Sequence, residues 1–222
     1  MRKRFDYIAF YDLDHTIIVD NSATHLVDAA RSRGIMTEKQ YRQAVFLSII
    51  YKLGLGNPTK MITRMLSWLK DLQLESIISL CQEVFTETLI KNIRPEILET
   101  MEEHRRKNGA NVLLSSATAP ICEPVVRYLE LDDMICTFLE HQDGKLTGTT
   151  DGNLVYGEEK RVRLLAYCSS KKYDPATSYY YGDSFTDRYV MESVGFPVAV
   201  APDRKLREIA RAQKWPILVR ER

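Results

Sequence analysis

The part of the chain after residue 92 alternates short apolar runs with helical patterns, and this alternation constrains the fold more than any other feature. Apolar runs at 111–116 and 178–182 predict buried strands, and residues 158–169 and 204–213 have the apolar spacing of helices. Strands that are separated by helices usually pair in parallel within one sheet, with helices covering both faces. The sequence therefore predicts an α/β fold with a largely parallel sheet.

The stretch from residue 20 to residue 92 differs, because it reads as consecutive helices without a convincing strand. It directly follows the first predicted strand, and Asn21 or Ser22 is suited to cap its first helix. We therefore expect a helical cap domain, residues 20–92, to be inserted into a core domain. The expected core comprises residues 1–19 and 93–222.

Local signals predict three further helices. The capping-box sequence Thr37–Gln40 predicts a helix that continues to about Leu53, where Gly54 breaks it. Apolar residues at helical spacing predict a helix over 59–72, and a capping pattern after the run 178–182 predicts another over 184–194.

Two acidic residues follow the first predicted strand, the apolar run from Ile8 to Tyr11. On extended backbone the side chains of Asp12 and Asp14 point to the same face, with Cα atoms about 6–7 Å apart. One carboxylate could attack an electrophile while the other reaches the leaving group or a bound water. Paired buried acids resist ionisation unless a cation joins them, and oxygen ligands favour a hard divalent ion such as Mg²⁺. Alternatively, both acids only cap a following helix.

Polar side chains also follow other predicted strands, at the edge where an open parallel sheet binds its ligands. Ser116 ends one apolar run and Asp183 follows another, so we expect both to meet Asp12 at one crevice. Period-two alternation places Ser115 and Ser116 on opposite faces, so only one of the two hydroxyls can serve this crevice. The neighbouring residues Gly109 and Ala117 favour Ser116.

Four short motifs occur in a fixed order along the chain. They are D-x-D-x-T at residues 12–16, the strand-terminal Ser116, Lys160, and G-D-x-x-x-D at residues 182–187. Their order and spacing resemble the haloacid dehalogenase-like hydrolases, specifically the subgroup that contains phosphoserine phosphatase. The resemblance covers about residues 6–219. It implies a Rossmann-like α/β core with an inserted helical cap, and a phosphatase that depends on Mg²⁺.

The resemblance also implies roles for the matching residues. Asp12 would be the nucleophile and form an aspartyl phosphate, and Asp14 would act as general acid and then as general base. The backbone carbonyl of Asp14, rather than its carboxylate, would contact the metal ion. Ser116 and the backbone N–H groups that follow, beginning with Ala117, would bind the phosphoryl oxygens. Lys160 would stabilise the negative charge on these oxygens.

The metal site that the resemblance implies takes carboxylate ligands from Asp12 and Asp183. Asp187 also belongs to an S/T-x-x-D capping pattern that begins at Ser184, and it could cap a helix while it fixes a metal-bound water. His15 occupies a position that many relatives give to a small residue. We interpret it as a spacer, with a proton-transfer role as the alternative.

Substrate choice is expected to differ from that of phosphoserine phosphatase. In that family an acid shortly after the first motif meets the ammonium group of the substrate, and the matching position here is Asn21, beside Asp20. The arginine that binds the substrate carboxylate falls near Met65, with Arg64 about 100° away around a helix. The acidic residue and the arginine thus both lie one position away from the matching sites. This favours a phosphorylated metabolite other than phosphoserine. If the match slips by one residue, Asp20 and Arg64 would instead serve phosphoserine.

Composition restricts the partners. The net charge of +1 gives no overall field that would attract nucleic acid or membranes. No segment approaches the ~20 apolar residues that a membrane span needs, so we expect no stable membrane insertion. The four cysteines are scattered, which favours reduced thiols and a cytoplasmic location. The expected partner is a small phosphorylated metabolite, and the sequence does not predict an oligomeric state.

Several functions stay open at this point. The enzyme alternatives are a phosphoserine phosphatase proper, a phosphotransferase and a lipid-phosphate phosphatase. An exposed apolar cap face around Phe46, Ile49 and Ile50 would favour the lipid substrate. Outside enzymes, the same fold could form a catalytically silent phosphometabolite-binding protein, although every expected reactive group is present.

Overall fold

The fold is built on one seven-stranded sheet, observed in a computed structural model that describes residues 4–52 and 55–219. The strands are β1 (Tyr7–Tyr11), β2 (Gly109–Thr118), β3 (Asp133–Gln142), β4 (Lys145–Asp151), β5 (Tyr179–Gly182), β6 (Phe196–Val200) and β7 (Ile217–Val219). Their spatial order is β4-β3-β2-β1-β5-β6-β7. Only the β3–β4 pair is antiparallel within the described sheet. The predicted α/β fold with a largely parallel sheet is confirmed.

The helices divide into a group that precedes β2 and a group that alternates with the later strands. They are α1 (Ser22–Ser32), α2 (Glu38–Lys52), α3 (Pro58–Leu66), α4 (Leu74–Glu87), α5 (Pro95–Arg106), α6 (Ala119–Tyr128), α7 (Glu158–Lys171), α8 (Arg188–Met191) and α9 (Arg204–Gln213). Within the described part of 20–92, regular structure is helical and no strand occurs, as the sequence predicted.

The sheet buries apolar side chains on both faces because its strands point successive residues in opposite directions. On one face, Ile8 and Phe10 of β1 belong to a buried cluster with Leu164 of α7. On the other face, Tyr11 and Leu113 belong to a second cluster. Helices therefore cover both faces, as a parallel sheet requires.

The helical insert contributes directly to the second cluster. Leu26 of α1 and Leu80 of α4 are buried in it together with Cys122 of α6. Half of the insert thus packs on the sheet-forming part of the chain. In α2, by contrast, Phe46 and Ile49 remain 61% and 51% exposed.

Two predicted helix starts are confirmed by their hydrogen bonds. The Asn21 side-chain oxygen accepts from the Thr24 N–H at 3.1 Å and caps α1. Before α2, the Gln40 side chain accepts from the Thr37 N–H at 2.9 Å, and the Gln40 N–H donates to the Thr37 hydroxyl at 3.3 Å. This reciprocal pair is a capping box. The predicted end of α2 at Leu53 and Gly54 lies outside the described residues.

Two predicted helices are shorter than expected, because backbone N–H groups in them donate to distant segments of the chain instead of continuing the helix. The helix predicted over 59–72 ends at Leu66 and continues only as a 3₁₀ turn to Leu69. Its expected last turn instead pairs with the sheet edge, since the Asp71 N–H donates to the Leu146 carbonyl at 2.8 Å.

The helix predicted over 184–194 is a 3₁₀ turn, Phe185–Asp187, followed by the short helix α8. Here the Phe185 N–H donates to the Asp203 carboxylate at 2.7 Å, which holds the turn against the loop after β6. No helix among the described residues is both long and apolar enough to cross a membrane.

Candidate active site

The polar residues predicted at strand ends meet at one edge of the sheet. β1 lies between β2 and β5, and Tyr11 is in register with Leu113 on one side and Tyr181 on the other. Because all three strands are parallel, their carboxyl ends open onto the same edge. Asp12 follows β1 and Asp183 follows β5, so the topology alone brings these two acids together.

Three buried carboxyl groups form the centre of this edge. One carboxylate oxygen each from Asp12, Asp183 and Asp187 lie within 4.8 Å of one another. The three residues are 7%, 2% and 1% exposed. Such closely spaced acids repel one another, and burial removes the water that would screen them. This acid cluster therefore needs positive charge.

Lys160 supplies one positive charge. The residue lies in the first turn of α7, and its Nζ is 2.8 Å from Asp12 Oδ2 and 2.8 Å from Asp187 Oδ1. The Lys160 side chain is only 4% exposed, so these ion pairs are shielded from solvent. Arg161, the next cation along the chain, is exposed and lies 3.8 Å from Glu158. The sequence prediction therefore chose the lysine that faces the acids.

Burial and charge set the ionisation of this pair. Burial raises the pKa of Asp12 to about 6, because loss of solvent and the neighbouring Asp187 outweigh the attraction of Lys160. Burial opposes the charged form of Lys160, but Asp12 and Asp187 outweigh it and hold the lysine pKa well above its usual value. Near neutral pH, Asp12 is thus mostly ionised beside a protonated lysine.

Asp187 takes part both in helix capping and in the acid cluster. Its Oδ2 accepts from the Ser184 N–H at 3.3 Å, completing a capping box, while its Oδ1 accepts from Lys160. The two interactions use different oxygens of one carboxylate. The sequence alternatives of cap or site residue are therefore both realised in the geometry.

Asp14 is held at the boundary between the sheet and the helical insert. Its Oδ1 accepts from the Ser22 N–H at 2.7 Å, and its Oδ2 accepts from the Asn21 side-chain amide at 3.2 Å. Burial raises the pKa of Asp14, partly offset by hydrogen bonding from Ser22. The neighbouring His15 has φ 59°, and its Nδ1 lies 2.9 Å from the Val19 carbonyl. His15 therefore holds the loop between β1 and α1.

The two serines at the end of β2 face different environments. Ser115 is buried, and its hydroxyl accepts from the Ala117 N–H at 3.2 Å. Ser116 is half-buried, and its carbonyl accepts from the Thr137 hydroxyl at 3.0 Å. β2 extends to Thr118, two residues further than predicted. Of the two serines, Ser116 is thus the more exposed residue.

Two of the residues considered for substrate binding lie in other surroundings. The Asp20 carboxylate is 3.1 Å from His25 Nε2 and accepts from the Asn92 side chain at 2.8 Å, so it joins the two ends of the helical insert. Arg64 is exposed on α3, at a narrow cleft between α2 and α3. Neither residue contacts the acid cluster in the described contacts, whereas the Asn21 side-chain amide donates to Asp14.

Comparison with known proteins identifies the family. Residues 9–192 match the haloacid dehalogenase-like hydrolase family. The chain belongs to this family. It is similar to the Inhibition of morphological differentiation protein of Streptomyces azureus, with 31% identity over 95% of this chain and 77% of the relative.

Two further relatives carry enzyme names. Phosphoserine phosphatase SerB1 of Mycobacterium tuberculosis is 26% identical over 94% of this chain and 69% of its own length. Histidinol-phosphatase of Neisseria meningitidis is 29% identical over 95% of this chain and 97% of its own length. The family match and these relatives confirm the predicted enzyme class, a phosphatase of the haloacid dehalogenase-like family, and the predicted resemblance to phosphoserine phosphatase.

Solved structures share the fold. A Bordetella pertussis protein with unknown function has a TM-score of 0.88 at 24% identity, covering 96% of this chain and 98% of its own. A substrate-bound phosphoserine phosphatase has a TM-score of 0.72 at 18% identity, covering 98% of this chain and 95% of its own. At this identity the likeness supports the fold alone.

One residue of the site was missed by sequence reasoning. Tyr180 of β5 was read only as part of an apolar run, yet its hydroxyl lies 3.2 Å from Lys160 Nζ and 3.1 Å from Asp187 Oδ1. A usable signal was present, because buried tyrosine hydroxyls normally require a hydrogen-bond partner. Period-two alternation also places Tyr180 on the same face as Gly182, at the end of β5.

Proposed function

We propose that this chain is a Mg²⁺-dependent phosphatase that hydrolyses a small phosphomonoester through a phosphorylated Asp12. The observation that carries the proposal is the buried cluster of Asp12, Asp183 and Asp187 with Lys160 between two of the acids. A buried carboxylate paired with a lysine could be purely structural. A third buried acid in the same cluster favours a site that receives a cation and an anionic substrate.

The acid cluster fits a divalent cation. Three carboxylates against one ammonium leave an excess of two negative charges in a buried space. Hard oxygen donors are the ligands that Mg²⁺ prefers. The carboxylates of Asp12 and Asp183 and the backbone carbonyl of Asp14 would hold the ion. Asp187 would fix a water molecule bound to it. When bound, Mg²⁺ supplies positive charge that orients the phosphoryl group and lowers its repulsion from Asp12.

Asp12 is suited to attack phosphorus. Its oxygen forms a bond to phosphorus while the bond between phosphorus and the ester oxygen breaks, which yields an aspartyl phosphate and an alcohol. Water then attacks the same phosphorus and releases phosphate, so the Asp12 carboxylate is restored. The Asp12 pKa of about 6 leaves the nucleophile ionised at neutral pH.

Asp14 is suited to move the protons of both steps. Burial raises the pKa of Asp14. As general acid, its carboxyl group would donate a proton to the leaving ester oxygen. The resulting carboxylate then takes a proton from the attacking water. Its hydrogen bonds to Ser22 and Asn21 fix its orientation at the entrance to the helical insert.

The phosphoryl oxygens would be bound by groups from two elements. Lys160 approaches from α7, and the Ser116 hydroxyl and the Ala117 N–H belong to the last residues of β2. The Ala117 N–H would exchange its bond to the Ser115 hydroxyl for one to a phosphoryl oxygen. Lys160 must exchange its contact with Asp12 for one with a phosphoryl oxygen. Its charge is then most useful when negative charge spreads over those oxygens.

The helical insert, residues 20–92, would act as a cap over the crevice. Its first residues, Asn21 and Ser22, already contact Asp14, so a substrate held there lies beside the general acid. Closure would exclude bulk water from the reacting group. The four cysteines are all free and buried, consistent with the expected cytoplasmic location.

A substrate other than phosphoserine is favoured by the contacts of the insert. Asn21 is neutral, Asp20 is engaged by His25 and Asn92, and Arg64 lies exposed on α3. A zwitterionic amino acid would thus lack both charged partners, and lost charged contacts cost roughly 1.5–3 kcal/mol each. The names of the relatives, phosphoserine phosphatase and histidinol-phosphatase, place both substrates in the test panel.

A lipid phosphate is the second candidate, and one observation favours it. Val45, Phe46 and Ile49 of α2 are 40%, 61% and 51% exposed, and Leu55 just beyond α2 is 58% exposed. An apolar surface of this kind on a cap could contact an acyl chain.

A substrate panel tests the proposal. Phosphate release is measured for phosphoserine, histidinol phosphate, sugar phosphates, phosphocholine and a lysophospholipid phosphate, each compared by kcat/KM. We expect activity to disappear after chelation and to return with Mg²⁺, and to return only weakly with Ca²⁺, whose coordination is larger and looser. Full activity of exhaustively chelated, metal-free protein would contradict the metal assignment. A lead of phosphoserine by orders of magnitude would contradict the substrate argument.

A further inference from the structure

Tyr180 is a buried hydroxyl in contact with two charged groups of the site. The residue is 0% exposed on β5, in register with Phe10 of β1. Its hydroxyl lies 3.2 Å from Lys160 Nζ and 3.1 Å from Asp187 Oδ1.

The direction of these hydrogen bonds follows from the donors available. An ammonium group only donates, so the Tyr180 oxygen accepts from Lys160 and its own proton goes to Asp187 Oδ1. Lys160 also donates to Asp12 Oδ2 and to Asp187 Oδ1, each at 2.8 Å. The three N–H groups of the ammonium therefore have three acceptors. Buried charge requires this saturation.

The backbone of β5 makes room for this arrangement. A Cβ at Gly182 would lie 2.6 Å from Tyr180 Cε1 and 2.8 Å from Asp187 Oδ2, both shorter than real contacts. The tyrosine ring and the carboxylate thus occupy the space where a side chain of residue 182 would be. Glycine at this position permits Tyr180 and Asp187 to approach each other.

We propose that Tyr180 is a positioning residue that keeps Lys160 aligned with the phosphoryl group; this inference rests on the proposed function. When a substrate arrives, Lys160 exchanges Asp12 Oδ2 for a phosphoryl oxygen. The bonds to Asp187 and Tyr180 remain and fix Nζ during the exchange. Without the hydroxyl, one N–H of the buried ammonium lacks an acceptor and Asp187 loses one donor. The lysine is then drawn toward the two acids and away from the phosphoryl group.

The first test compares two tyrosines of one strand. Tyr180→Phe removes the hydroxyl at the site, and Tyr181→Phe removes the neighbouring hydroxyl, which lies 2.8 Å from His104 Nε2 on the opposite face. We expect Tyr180→Phe to lower kcat about 10- to 100-fold with a smaller rise in KM, as for loss of a charge-assisted hydrogen bond. Tyr181→Phe should keep the wild-type kcat. Equal kcat values for the two variants would overturn the inference.

A double-mutant cycle separates positioning from general structure. If Tyr180 acts through Lys160, adding Tyr180→Phe to Lys160→Ala should change single-turnover rates less than about twofold. Multiplication of the two single losses would show a role independent of the lysine and overturn the inference.

Ligand binding provides a readout that does not need turnover. We expect inorganic phosphate with Mg²⁺, measured by titration calorimetry, to bind Tyr180→Phe about 5- to 10-fold more weakly than wild type, and Tyr181→Phe like wild type. If wild-type protein hydrolyses no ester while this difference in affinity is found, the proposed function fails and the positioning role stands. Equal affinity of all three proteins would overturn the positioning role, even if the wild-type enzyme hydrolyses phosphoesters.

Discussion

The acid cluster and the surface of α2 differ in burial and in chemistry: the first is buried and charged, the second exposed and apolar. Asp12, Asp187 and Lys160 are almost completely buried, and the lysine lies 2.8 Å from a carboxylate oxygen of each acid. On α2, Phe46 and Ile49 are more than half exposed and belong to neither buried cluster. Under the proposed function, the sheet edge would carry out the reaction, and the exposed surface of α2 would influence which ester is bound.

The boundary between the two regions does not coincide with the boundary of the insert. α1 and α4 contribute Leu26 and Leu80 to the cluster that covers the sheet. Asn21 and Ser22 additionally bind Asp14. α1 and α4 are thus packed on the sheet. The exposed apolar side chains Phe46 and Ile49 lie on α2.

The largest effect is expected from replacing Lys160, which lies against the acid cluster. Lys160→Ala should lower kcat about 100- to 1,000-fold with a smaller effect on KM, because the lysine is assigned to charge that develops in the transition state. Arg161→Ala is the matched control, since Arg161 is the adjacent, exposed cation. Steady-state kinetics should show little change for it. Similar losses from both substitutions would mean that the wrong cation was chosen.

Stability measurements can locate the boundary inside the insert. Leu80 of α4 is 2% exposed, and Leu80→Ala should lower the free energy of unfolding by about 2–5 kcal/mol, as for a large buried side chain. Ile49→Ala on α2 should change it by less than about 0.5 kcal/mol, because Ile49 is exposed. Urea unfolding of both variants measures the difference. Equal losses would place α2 in the same packed unit as α4.

The next prediction concerns the pH dependence of stability that arises from the buried residue His104. Its Nδ1 is 2.9 Å from the Tyr7 hydroxyl and its Nε2 is 2.8 Å from the Tyr181 hydroxyl. Burial lowers the pKa of His104 from 6.5 to about 4. Between pH 4 and pH 6.5 the folded state therefore binds fewer protons than the unfolded state. The contribution of neutral His104 to the free energy of unfolding is complete above pH 6.5 and is lost as the pH falls toward 4.

The expected slope from His104 is about 1.4 kcal/mol per pH unit within that window. His104→Gln should remove this part of the pH dependence, measured by urea unfolding between neutral and mildly acidic pH. His141→Gln is the control, because His141 is exposed. An unchanged slope in His104→Gln would show that His104 is not held neutral by the fold.

The meeting of Asp12 and Asp183 at one edge could be predicted because their placement follows from local pattern and topology. Asp12 and Asp183 each follow an apolar run, and parallel strands carry such residues to one edge. Lys160 was found only through the order of the family motifs, since a lysine at the start of a helix is usually on the surface. Its burial depends on how α7 packs against the sheet, which the sequence pattern does not specify.

What could not be predicted depends on contacts between distant segments. The Tyr180 hydroxyl on β5 accepts from Lys160, which lies 20 positions earlier in the chain. The helix predicted over 59–72 stops early because the backbone at Asp71 pairs with Leu146 of β4. Asp20 is bound by Asn92, which is distant in sequence. Each case is a long-range pairing that overrides a local propensity.

The central claim, that Asp12 is the nucleophile, can be tested by trapping the intermediate. Wild-type protein with Mg²⁺ and its best substrate is quenched in acid within one turnover, digested, and analysed by mass spectrometry. We predict a phosphoryl group on Asp12, and in Asp12→Asn, a folded protein by circular dichroism, neither the modified peptide nor phosphate release. Turnover near the wild-type rate in Asp12→Asn, or a phosphoryl group trapped on a different residue, would contradict the account.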